Sequence, residues 1–145
     1  MNRKSFLGVL ILLAATAVVV VADQPRMQAA RTDLNQARAQ LQAAMKNKGG
    51  HRATAINYIN SALAEINAGM RFDRRHNHAS TLAGEAFAFA SSPDQPHMQR
   101  ALELLRQARS NLEAASTDKG GHRNRAIAFV NNAIDEVKKG IDAGE

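Results

Sequence analysis

From residue 23 onwards, apolar side chains recur at intervals of three and four. Met27, Ala30, Leu34, Ala37, Leu41 and Ala44 form one such stripe, and Met98, Ala101, Leu105, Ala108, Leu112 and Ala115 form another. Two further runs carry Ile56, Ile59, Leu63, Ile66 and Met70, and then Ile127, Val130, Ile134, Val137 and Ile141. That spacing places each set on one face of a helix, so four amphipathic helices are predicted. Pro25 and Pro96 suit a first helical turn, with Asp23 and Asp94 just upstream as caps. Gly49-Gly50 and Gly120-Gly121 can take the left-handed conformation that ends a helix before a sharp reversal. Gly69 and Gly140 lie near the expected ends of the second and fourth helices.

The four runs are two copies of one pattern. Offsetting the chain by 71 residues aligns 23–70 with 94–141 without a gap, and 24 of the 48 positions are identical. Each copy reads as helix, tight turn, helix. Within the stripes, small residues return every seventh position: Ala30, Ala37 and Ala44, then Ala55, Ala62 and Gly69. This predicts that the two helices of one hairpin approach closely along these rows, leaving the Leu, Ile and Met rows for a second layer. A helix of about 22 residues is roughly 33 Å long, and one hairpin alone leaves those rows in water. The expected fold is therefore all-α, an antiparallel four-helix bundle built from two tandem αα-hairpins. Its parts are hairpin 1 over 23–70, a connector over 71–93, and hairpin 2 over 94–145. The connector is long for a bundle loop. It contains STLAGEAFAFA, readable as a short helix capped by Ser80 or Thr81, and it is long enough for hairpins to exchange between two chains as a homodimer.

Residues 1–22 precede this pattern. Arg3 and Lys4 open a basic start, an uncharged apolar run covers Phe6 to Val21, and Val20 and Ala22 suit a signal-peptidase site before Asp23. A cleaved signal peptide and a periplasmic or secreted protein are expected. The alternative is a retained anchor, the run of about 17 residues being at the short limit for a bilayer span, which would make the chain a membrane-tethered helical scaffold. A membrane role follows only in that case.

Composition narrows the chemistry. Five Phe, one Tyr and no Trp leave the core to aliphatic residues and Ala, and the absence of Cys excludes disulfides and thiolate chemistry. The formal charge of +6 falls to +4 without Arg3 and Lys4, short of a nucleic-acid-binding footprint. No cofactor motif is present.

The pentapeptide KGGHR occurs in both copies, as Lys48, Gly49, Gly50, His51, Arg52 and as Lys119, Gly120, Gly121, His122, Arg123. At a helix N-terminus, free N–H groups and the positive dipole end favour an anion, so these residues could converge on phosphate, sulfate or carboxylate. The structural reading is that Gly-Gly makes the turn while His and Arg hydrogen-bond the last carbonyls of the preceding helix. A second candidate set is Asp73, His76, His78 and His97, whose oxygen and nitrogen donors suit copper, zinc or nickel; Arg74 and Arg75 among them oppose a cation. Glu65, Glu136 and Asp33 lie among polar neighbours and read as solvated surface. Asn60 and Asn131 border the stripes and are the type of residue that fixes register. Nothing pairs a nucleophile with a base, so no enzyme is expected.

The sequence ADQP-x-M, then L-x-x-A-R-x-x-L-x-x-A, then KGGHR-x-x-A-I, then a Val/Ile-rich run ending in Gly, resembles a group of small exported bacterial proteins. These carry a signal peptide and one helical hairpin with DQPHM and KGGHR signatures. The second copy keeps DQPHM at Asp94–Met98, whereas the first has Arg26 in place of the histidine. The resemblance implies export and a hairpin fold, and lends no activity. A binding or structural role in the periplasm or cell envelope is expected, with a protein or an anionic envelope component as partner. Metal binding or buffering is the alternative.

Overall fold

A computed structural model of the chain describes residues 23–44, 48–76, 94–115 and 120–143. It is all-helical: α1 (Asp23–Ala43), a 3-10 turn (Lys48–Gly50), α2 (His51–His76), α3 (Asp94–Glu113) and α4 (His122–Asp142). Among the described residues there is no strand, and no helix is long and apolar enough to cross a membrane. The N-terminal segment 1–22 and the short helix expected within the connector lie outside the described residues.

The apolar stripes form the core. All twelve residues of the α1 and α3 stripes are at most 1 % exposed, and Ile59, Ile66, Val130 and Val137 are wholly buried. Leu104, which is off the stripe, joins them, whereas Ile56, Ile127 and Ile141 are only partly buried and pack against the cluster. Burying a Leu or Ile side chain is worth about 1.5–3 kcal/mol, and one continuous cluster draws on all four helices.

Two expectations change. Helix α2 continues through Met70 to His76, so the first six residues of the 71–93 segment are helical. Gly69 is buried; it acts as a small packing residue, and residues 71–76 contain no proline or glycine to stop the helix. The closest helix pairs also differ from the prediction. Helix α2 packs most extensively on α4, and α1 on α3, while the helices within each copy share less contact. A row of small residues every seven positions marks a face that permits close approach. It does not say which neighbour uses that face.

The running directions follow from side-chain pairs. His51 at the start of α2 meets Glu136 near the end of α4, and Glu65 farther along α2 meets His122 at the start of α4. Between them Tyr58 and Phe129, equivalent positions of the two copies, face each other with ring centroids 6.4 Å apart. On the other side His97 of α3 meets Gln40 of α1, and Arg26 of α1 meets Asn111 of α3. Each contact has its counterpart 71 residues away with the partners exchanged. The pairing is reciprocal.

Candidate functional site

Each Gly-Gly turn is built by backbone conformation. Gly120 and Gly121 have φ of 64° and 80°, in the left-handed region that costs a residue with a Cβ about 1–2 kcal/mol. Gly49 and Gly50 repeat this at 67° and 90°. The turn delivers His51 and His122 to the first positions of α2 and α4, with the following arginine directed back at the helix just completed.

The two basic residues of KGGHR then separate in role. Arg52 donates to the carbonyls of Leu41 at 3.1 Å and Ala44 at 2.7 Å, and Arg123 donates to the carbonyl of Ala115, the equivalent of Ala44. These carbonyls lie at a helix C-terminus, where no further turn supplies an N–H and negative partial charge accumulates. The structural reading made of both His and Arg thus describes the arginines alone.

The histidines reach the other copy. His51 Nδ1 lies 2.8 Å from Glu136 Oε2, and His122 Nδ1 lies 2.7 Å from Glu65 Oε2. Nδ1 donates to the carboxylate when it carries the ring proton, as it does in the protonated ring and in one neutral tautomer. Arg125 Nη2 also lies 2.7 Å from His122 Nδ1 and donates to it only in the other tautomer. Protonation adds an ion pair. Both pairs are part-buried, the carboxyl side chains being 15 % and 23 % exposed. The hydrogen bond from His122 and then that from Arg125 hold the Glu65 carboxyl below its ordinary value, against the opposing effect of burial. Glu136 is lowered in the same way, by Lys139 first and His51 next. An anion does sit by the first turn of each helix, and it is a carboxylate from the other copy.

Glu65 and Glu136 were therefore legible only in part. Both read as solvated surface, yet they are identical in the two copies while the residues at 64/135, 67/138 and 68/139 differ. That retention amid change is the signal that could have singled them out. A second pair has no such mark. His97 Nδ1 is 2.7 Å from Gln40 Oε1, and both are buried, 4 % and 8 % exposed. The reciprocal positions hold Arg26, which donates to Asn111 Oδ1 at 3.2 Å; Asn111 in turn donates to Asp33 at 2.9 Å. Burial raises the Asp33 carboxyl above its ordinary value, more than Asn111 and Arg100 lower it. Its equivalent in the second copy is the buried Leu104.

The candidate metal donors are spread out. His97 lies beside Gln40, at the end of the molecule where Arg52 caps α1. Asp73 lies 21 residues along α2 from Arg52, about 30 Å of helix away, and is buried. Asp73 and His97 are therefore at opposite ends. His76 closes α2, and His78 and Lys119 lie outside the described residues. Among the described residues, no group of three or more His, Asp or Glu could hold a metal ion.

Asn60 accepts from Arg38 at 2.9 Å, and Asn131 accepts from Arg109 at 3.5 Å. These pairs link the two helices within each copy. No family model matches the chain, and neither a curated protein nor a solved structure shows significant similarity to it.

Proposed function

We propose that this is a non-enzymatic, exported protein of the periplasm or cell envelope, in which two tandem hairpins form an antiparallel four-helix bundle with a binding or structural role. Residues 1–22 serve as its signal peptide, cut between Ala22 and Asp23. The observation that carries this reading is the reciprocal pairing of His51 with Glu136 and His122 with Glu65. The residues most suggestive of chemistry in the repeated signature are engaged in holding one copy to the other. The arginines beside them satisfy helix-terminal carbonyls. An outside anion at either turn must compete with a carboxylate that is already tethered there.

Native mass spectrometry of the protein isolated from its own host tests the reading. A chain beginning at Asp23, recovered without a bound ion or cofactor, is the expected result. A stoichiometric metal ion would replace this proposal with the metal-binding alternative, and a mass that includes Met1 would replace it with the anchored scaffold.

A further inference from the structure

The duplication supplies an internal control on surface charge, because equivalent positions share one fold. In the second copy, Glu103, Arg106 and Glu113 are exposed on α3, and Asp135, Lys138 and Lys139 are exposed on α4. In the first copy, no exposed residue from Met27 to Ala43 of α1, or from Ala53 to Met70 of α2, is charged. Thr32, Asn35 and Gln42 take the places of the three α3 residues, and Ala64, Asn67 and Ala68 those of the three α4 residues. The charged residues within these two spans, Arg31, Asp33, Arg38 and Glu65, are all half-buried. Asp33 accepts from Asn111, Arg38 donates to Asn35 and Asn60, and Glu65 meets His122 and Arg125. The Arg38–Asn60 bond holds α1 and α2 side by side, so their neutral outer sides form one surface along the first copy.

Depletion of charge is the compositional mark of an interface core. On a twofold interface one patch meets itself, so a charged side chain near the axis faces its own sign. Amides and hydroxyls both donate and accept, so Asn35, Asn57, Asn60 and Thr32 can pair with their own kind. The chain as a whole carries a formal charge of +6, and two copies meet with least repulsion on a face that carries none. We infer that the α1–α2 face is a self-association surface, occupied by the α1–α2 face of a second copy of this chain. This dimer leaves the contacts between the two copies of the repeat intact, unlike one made by hairpin exchange. A helical stretch such as 53–70 runs about 27 Å, and two adjoining helices are about 20 Å wide. The face therefore covers about 540 Å² per partner, near the lower limit for a specific interface. The dimer is weak and reversible.

The test is sedimentation equilibrium of the protein recovered from its own host, from about 1 to about 500 μM, in salt that screens long-range charge. A monomer–dimer equilibrium with a dissociation constant in the micromolar range is expected. Asn67→Lys/Ala68→Lys gives α2 the lysines that α4 carries as Lys138 and Lys139, so the fold accommodates them. It should weaken the dimer by about tenfold or more through like-charge contact, with helicity unchanged by circular dichroism. Gln107→Lys/Ser110→Lys adds the same charge at exposed positions of α3, and should leave the constant within about twofold. A monomer at every concentration, equal weakening by both double variants, or a dimer that Asn67→Lys/Ala68→Lys leaves intact, as hairpin exchange would give, would each overturn the inference. Chain mass and location in the host are read separately, so failure here leaves the export reading standing.

Discussion

A histidine in the first turn of a helix faces unpaired amide N–H groups and a dipole that disfavours positive charge. Both His51 and His122 resolve this with a carboxylate from the other copy. A double-mutant cycle over His122→Ala and Glu65→Ala should give a coupling of about 0.5–1.5 kcal/mol, measured by urea denaturation. Coupling near zero would show that the pair is incidental. The pH dependence has a definite sign. Glu65 and Glu136 are lowered in the folded state from an ordinary value of 4.5. Their contribution is fully present above that value and is lost as pH falls through the lowered folded value. Asp33 acts oppositely: its carboxyl is raised, so its effect favours folding at low pH and fades as pH rises through its folded value. The thermal midpoint should fall on acidification below about pH 4.5, and Glu65→Gln/Glu136→Gln should flatten that fall. An unchanged acid limb in the double variant would contradict the assignment.

At the scale of the element, each helix end depends on a few residues. Arg123→Ala removes the donor that reaches the Ala115 carbonyl. It should cost about 1.5–3 kcal/mol, the range for a hydrogen bond to a charged group. Gly120→Ala is a separate probe. Its Cβ would meet the Phe72 ring at an ordinary 3.5 Å, so the cost is the backbone strain of a left-handed φ, about 1–2 kcal/mol. The helices themselves were readable from spacing, since Met27 through Ala44 and Met98 through Ala115 are buried as the stripes require. The end of α2 was not. Gly69 resembles a stop signal, but its burial shows that it serves packing.

At the scale of the whole molecule, the duplication was plain in the sequence and the mode of mating was not. Periodicity names the buried face of Leu34 or Ile66, but the register between helices depends on which residues meet across them. His97 and Gln40 are 57 positions apart, and His51 and Glu136 are 85 apart. Nothing local marks them as partners. Antiparallel apposition of equivalent helices brings position 58 against position 129, and from that pair the reciprocal contacts follow. Because one core cluster spans all four helices, Leu34→Ala and Leu105→Ala should each cost about 2–5 kcal/mol, and each should lower the cooperative unfolding of the entire chain. A transition confined to one copy in either variant would show two independent hairpins.

Reciprocal mating of the two copies is tested most directly at the contact between equivalent positions. The chain has one tyrosine, and its ring should show a nuclear Overhauser effect to Phe129 in uniformly labelled protein. If the copies pair within one chain, that signal disappears from an isotope-filtered spectrum of mixed labelled and unlabelled chains, which reports contacts between molecules alone. A Tyr58–Phe129 signal that survives the filter, or no signal in the uniformly labelled sample, would contradict the account.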